Sequence, residues 1–220
     1  MPQKFQNLKN SKKFKKSSQK WLLRQINDEY VERSKIEGWR SRATFKIIEI
    51  DEKFKIFKKN KIIVDLGSSP GGWSQYAVSK VGEGNVLAID LLEMAPIFGV
   101  NFFIQDFLKN DAEINIINCL KNKNNQQGLC DVVLSDMASN STGDRNLDHL
   151  RIINLLEEAL KLSEKILRKN GSFVGKIFQG SSSDEILQKL RKNFEIVKYF
   201  KPKSSRKDSS ETYLVALNKK

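Results

Sequence analysis

From Lys61 onward, short runs rich in Val, Ile, Leu and Phe alternate with stretches of helical periodicity, and no other feature restricts the fold so tightly. The apolar runs are Lys61–Leu66, Asn85–Asp90, Asn101–Gln105, Asp131–Asp136, Ser172–Phe178, Glu195–Phe200 and Glu211–Leu217. Helical patterns lie between them at Trp73–Val81, Ala112–Leu120, Arg145–Lys169 and Ser182–Lys192. The Asn170-Gly171 pair reads as the C-cap of the longest. A strand returning parallel to its neighbour needs a crossover of a dozen or more residues, usually a helix. The alternation therefore predicts an α/β fold: a seven-stranded, mostly parallel sheet with helices on both faces. Only Pro202 and a Ser/Lys loop separate the last two runs, so they should close as an antiparallel hairpin.

Upstream of the sheet, Trp21–Gly38 reads as two helical pieces, with Asn27 or Asp28 as an N-cap. Arg40–Ile56 reads as a stronger helix. Its Phe45, Ile48, Ile50, Phe54 and Phe57 recur at helical spacing, with Lys46, Glu49 and Lys53 off that face. Met1–Lys20 holds seven Lys and no acid, a basic flexible arm ahead of a single domain over residues 21–220.

Across 220 residues, 39 Lys and Arg face 26 Asp and Glu, a net charge of +13 that calls for a polyanionic partner, nucleic acid ahead of a membrane surface. No apolar stretch reaches the roughly 18 uncharged residues of a membrane span. The lysine run at the start has no apolar segment behind it, so a cytoplasmic protein is expected. Cys119 and Cys130 stand in unlike contexts, read as reduced thiols with neither a disulfide nor a zinc site. The single histidine, His149, reads as an ordinary helix residue, and its isolation argues against histidine-based catalysis and against a metal.

The sharpest local signal is Val64-Asp65-Leu66-Gly67-Ser68-Ser69-Pro70-Gly71-Gly72-Trp73, an apolar strand entering a glycine-rich turn that opens a helix. Gly71 and Gly72 let a ligand approach backbone N–H groups at the positive end of that helix, so the ligand should present a phosphate or a carboxylate there. Ser69 stands where the second glycine of a dinucleotide fingerprint belongs, which demotes NAD. Asp90 suits a ribose diol, but it serves NAD and S-adenosylmethionine equally. Further along, Asp136 closes the fourth run. Lys176 lies inside Phe173-Val174-Gly175-Lys176-Ile177-Phe178, where a central strand buries both faces and an ammonium must be paired.

Taken in order, several motifs resemble one family. They are Gly38-Trp39-Arg40-Ser41-Arg42-Ala43-Thr44-Phe45-Lys46, the stretch from Asp65 to Tyr76, Asp90-Leu91-Leu92 and Gln105-Asp106-Phe107. Ser135-Asp136-Met137-Ala138, Lys176-Ile177-Phe178-Gln179-Gly180, Ser204-Ser205-Arg206 and Glu211-Thr212-Tyr213 follow. Together they resemble the FtsJ/RrmJ family of RNA ribose 2′-O-methyltransferases, over about Trp21 to Leu217, and in particular the enzymes acting on large-subunit ribosomal RNA. The resemblance implies a Rossmann-like, class I S-adenosylmethionine-dependent methyltransferase, acting as a monomer on ribosomal RNA or the large ribosomal subunit, with a uridine as the target. Methylation of transfer RNA, and a non-catalytic role in ribosome assembly, are the alternatives.

By motif matching, the family's catalytic tetrad falls on Lys46, Asp136, Lys176 and Glu211, and its cofactor contacts on Gly71, Trp73, Asp90, Asp106 and again Asp136. The resemblance gives Asp90 the ribose and Asp106 the adenine amino group. Ser139 stands where the family commonly has proline, a change expected to loosen the substrate-side loop while keeping the acid. Lys176 is the expected proton acceptor, with Lys46 and Asp136 orienting it and Glu211 as a hydrogen-bond anchor. Lys12 to Lys20, Arg40, Arg42, Lys201, Lys203 and Arg206 are the expected phosphate contacts.

Overall fold

The structure, a computed structural model, describes residues 16–109, 111–122, 125–138, 142–178 and 184–220. Three helices come first: α1 (Lys16–Ile26), α2 (Glu29–Ile36) and α3 (Thr44–Phe54). The side chain of Asp28 accepts from the Tyr30 amide and caps α2, one of the two capping residues expected there. Residues 1–15 of the basic arm lie outside the described residues, and α1 begins within its final lysines.

The alternating region forms β1 (Ile63–Leu66), α4 (Gly72–Val81), β2 (Val86–Asp90), β3 (Val100–Ile104), α5 (Ala112–Leu120) and β4 (Cys130–Ser135). It continues with α6 (Arg145–Ile166), β5 (Leu167–Phe178), α7 (Asp184–Asn193), β6 (Phe194–Phe200) and β7 (Glu211–Lys219). All seven strands join one sheet in the order β3-β2-β1-β4-β5-β7-β6. β1 through β5 pair in parallel, whereas β7 inserts antiparallel between β5 and β6. The predicted hairpin is present, and its second strand also covers the β5 edge.

Strand alternation sends neighbouring residues into two separate cores. Val64 and Leu66 of β1 pack with Ile116 and Leu120 of α5, Leu156 and Leu160 of α6, and Ile186 and Leu190 of α7. Ile63 faces the opposite layer, with Ile47 and Ile50 of α3 and Trp73, Tyr76 and Ala77 of α4. Each such aliphatic side chain contributes about 1.5–3 kcal/mol when fully buried, so the sheet is held from both sides.

Two expectations need correction. Helix α6 ends at Ile166, and Leu167 passes straight into β5 with extended dihedrals. Asn170 does adopt the left-handed backbone of a C-cap, at φ 63°, but it does so inside β5, where the pairing with β4 shifts register between Cys130 and Val132. On α3, Lys46 was expected off the apolar face. It is 7% exposed, because that side of the helix meets the end of the sheet rather than water.

Candidate active site

The strand order reverses beside β1: β2 and β3 extend to one side and β4 to the other. Doubly wound sheets bind their ligands in the crevice beyond the strand ends at such a point. The glycine-rich turn between β1 and α4 lies there. Gly67 has φ +75°, and a Cβ added to it would come within 2.4 Å of the Met137 side chain, so the turn and the segment after β4 close on one another only with glycine in place. Gly71, the N-cap of α4, has φ +102°.

Beyond this turn opens a cavity of about 300 Å³. Gly67, Asp90, Asp106 and Asp136 line it, with apolar walls from Leu91, Leu92 and Phe107. The carboxylate of Asp90 clasps the turn, accepting from the Ser69 amide at 2.8 Å and from the Leu92 amide at 2.8 Å. Asp106 accepts from the Leu108 amide at 3.1 Å. Gly71 and Trp73 are placed differently. The indole of Trp73 is buried, donates to the Ala43 carbonyl at 2.8 Å and packs 5.6 Å from the Tyr213 ring. Neither residue is among those that line the cavity: the Gly71 amide donates to the Ser68 carbonyl at 2.6 Å, and the following amides of the first turn of α4 have no intrahelical partners.

On the far side of Asp136, the four ionisable side chains picked out by motif matching meet. The Lys46 ammonium donates to Glu211 Oε2 at 2.8 Å and stands 3.7 Å from Asp136 Oδ2. The Lys176 ammonium donates to Asp136 Oδ1 at 3.0 Å and to the Asp136 carbonyl at 2.5 Å. Charges thus alternate along the row Glu211, Lys46, Asp136, Lys176. Register explains the convergence: β5 and β7 set Lys176 opposite Tyr213 and Phe178 opposite Glu211, and α3 lays Lys46 across the gap. Burial, the largest single influence, pushes the Asp136 carboxyl up. The charges of Lys176 and Lys46 and the hydrogen bonds from Tyr213 and Lys176 outweigh it, leaving the group below its ordinary value.

Two residues of this site carried no role in the sequence reading. The Tyr213 hydroxyl donates to Asp136 Oδ1 at 2.7 Å, and burial, followed by the charges of Asp136 and Glu211, holds its proton far above the ordinary phenol range. The Ser205 hydroxyl donates to Glu211 Oε1 at 2.9 Å. Tyr213 had a signal in strand alternation, two residues from Glu211 on the same face. Ser205 stands inside the Ser204-Ser205-Arg206 motif, which marks the position but not the bond, since its loop is placed by contacts remote in sequence.

Ser205 also lines a second, open cleft of about 550 Å³ formed by α1, α2 and the loop between β6 and β7. Tyr30, Arg24, Arg42, Lys203 and Arg206 border it. Four of the expected phosphate contacts are committed within the protein. Arg42 and Arg206 both pair with Asp28 Oδ2, at 2.8 and 3.2 Å. Arg40 donates to the carbonyls of Ala95 and Pro96, each at 2.5 Å. The Lys201 ammonium donates to the Ser209 carbonyl. Ser139, Gln179 and Gly180 lie outside the described residues.

A switch-point cavity of ligand size joined to buried opposed charges is the mark of a Rossmann-like, cofactor-dependent enzyme. Residues 39–219 match the model of the FtsJ-like methyltransferases. The ribosomal RNA large subunit methyltransferase E of Rickettsia bellii is 50% identical over 223 residues, covering 99% of this chain and 96% of that one. Its counterpart in Rickettsia akari is 48% identical over the same shares. A crystal structure described as a ribosomal RNA methyltransferase of Plasmodium falciparum superposes with a TM-score of 0.69 at 32% identity, over 82% of this chain and 98% of that one. The chain belongs to the FtsJ-like methyltransferase family.

Proposed function

We propose that the protein transfers a methyl group from S-adenosylmethionine to the ribose 2′-hydroxyl of a uridine in the RNA of the large ribosomal subunit. The observation that carries this reading is the meeting of Lys46, Asp136, Lys176 and Glu211 at the edge of the switch-point cavity. Similarity over nearly the whole chain to relatives named as large-subunit methyltransferases supports the choice of RNA.

The cavity fits the cofactor in chemistry: carboxylates at Asp90 and Asp106 for a ribose and an adenine amino group, apolar walls between them, and beside it the first turn of α4, where the Gly72 and Trp73 N–H groups have no intrahelical partners, for a carboxylate. When bound, S-adenosylmethionine supplies a methyl group already activated on a sulfonium. The protein's tasks are then to hold a ribose hydroxyl in line and to remove its proton. Orientation is worth up to roughly 7–11 kcal/mol, and a placed base about 10²–10⁴-fold. Lys176 takes the proton as a neutral amine, its ammonium proton having first passed to solvent; Asp136 holds its Nζ in place, and Lys46, anchored by Glu211, steadies Asp136 from the other side.

RNA approaches across the basic cleft. Arg42 and Arg206 shape that cleft through Asp28, while Lys203 and the lysines of residues 1–20 supply phosphate contacts. Ribose methylation mapped in ribosomes from cells with and without this protein tests the proposal. Loss of one large-subunit mark is expected; an unchanged large subunit with a mark lost from transfer RNA overturns it. Neutralising about six phosphates should cost about a thousandfold in RNA affinity between roughly 50 and 200 mM salt.

A further inference from the structure

Three carboxylates stand at the carboxyl ends of three neighbouring strands. Asp65 of β1 pairs in register with Ala88 of β2 and Leu134 of β4, so Asp90 and Asp136, each two residues further along, flank it on the same face of the sheet. The outer two are satisfied. Asp90 accepts two backbone amides, and Asp136 has both lysines and Tyr213. Asp65 is 1% exposed; its Oδ2 accepts from the Ser74 hydroxyl of α4 at 2.6 Å, and its Oδ1 is buried with no hydrogen-bond partner. The two lysines of the charged row serve other acids: Lys46 of α3 reaches Glu211 and Asp136, and Lys176 of β5 reaches Asp136. Among the described residues, no Lys, Arg or His forms an ion pair with Asp65.

A buried carboxyl without a cation either keeps its proton or awaits a positive charge from outside the chain. Resting on the reading that the switch-point cavity holds S-adenosylmethionine, we propose that Asp65 is a positioning residue that gives up its proton to solvent as the cationic cofactor binds. The carboxylic acid becomes a carboxylate, one proton leaves to solvent, and the positive charge of the cofactor, in the cavity that the next residues Leu66 and Gly67 line, offsets the new negative one. The carboxylate then holds the first turn of α4 more firmly through Ser74. Burial pushes Asp65 up to about 7, against the pull of the Ser74 hydrogen bond and with added push from Asp136 and Asp90. The exchange therefore falls in the neutral range.

Calorimetry of S-adenosylmethionine binding, in buffers of differing ionisation enthalpy, counts the protons released. Near pH 6.5 the wild type should release about half a proton or more, and affinity should rise by up to roughly tenfold per pH unit below about 7 and level off above it. S-adenosylhomocysteine, which lacks the sulfonium charge, should release fewer. Asp65→Asn should bind with the pH dependence removed. Ser74→Ala keeps the carboxyl but loses the bond that lowers its pKa, so the break should move to higher pH; this variant tests the idea even if Asp65→Asn folds poorly. Binding with no proton release in the wild type, or an unchanged release in Asp65→Asn, overturns the role of Asp65 alone. If neither ligand binds, the proposed cofactor falls and the role of Asp65 falls with it.

Discussion

Asp65 of β1 and Asp136, just past the end of adjacent β4, lie on one face of the sheet, Asp65 fully buried and Asp136 with its side chain 17% exposed at the cavity, yet they are driven in opposite directions. Burial is the largest influence on each. For Asp136, two ammonium groups and a phenol overcome it. For Asp65, one serine hydroxyl does not. Protonation in this crevice is thus set by which strand supplies a cation, with depth a shared background. The two acids divide the site into a half that is electrically complete within the chain and a half that needs charge from a ligand.

The comparison breaks first at Lys176. In Lys176→Met, single-turnover methyl transfer should fall by about 10²–10⁴-fold with cofactor affinity intact. A rate within a few-fold of the wild type would remove the base from the complete half. Asp65 provides the next largest effect. Its folded pKa lies above the unfolded carboxyl value, so its contribution to stability is present at low pH and is lost as pH rises from about 4 through about 7. Without cofactor, Asp65→Asn should gain stability over the wild type, on the order of 3 kcal/mol, between about pH 5 and pH 8, read from urea midpoints. A difference independent of pH would show that Asp65 is already ionised.

A smaller effect should come from Tyr213→Phe, which deletes one hydrogen bond to a charged acceptor, worth about 1.5–3 kcal/mol. Losing it should raise the pKa of Asp136 and move the acid limb of the pH–rate profile upward. An unmoved limb would mean that the two lysines alone set that group. Least affected should be Ser205→Ala, which frees one oxygen of Glu211 while Lys46 still holds the other. A stability cost toward the lower end of about 1.5–3 kcal/mol is expected from urea midpoints, with the rate of methyl transfer changed less than in Tyr213→Phe.

Much of this architecture was legible in the chain because its strands are long enough to show their pattern and its helices sit between them. All seven strands are where the apolar runs place them, give or take their ends. The errors have definite causes. Asn170-Gly171 has the chemistry of a helix cap and the left-handed backbone of one, but spends it on a strand irregularity. Lys46 reads as off the apolar face, and its burial goes unannounced because helical periodicity says nothing about what covers the polar side of a helix. The four charged residues could be named only through the order of several motifs. Spacing along the chain does not bring Lys46 to Glu211, 165 positions away. Tyr213, Ser205 and Asp65 stand inside the family motifs, but the hydrogen bonds that give them a role are made or missing across strands and loops, and motif order does not record them.

The placement of β7 between β5 and β6 bears on how the protein is made. Glu211 and Tyr213 belong to the final strand, yet they bond to Lys46 from the first third of the chain and to Asp136 from its middle. While the chain is still being synthesised, β1 to β5 have every partner they need except along one edge, and Lys46 has no Glu211 to hold. Assembly of the charged row waits on the insertion of this one strand, so a nascent chain that has folded most of its sheet is still without a working centre.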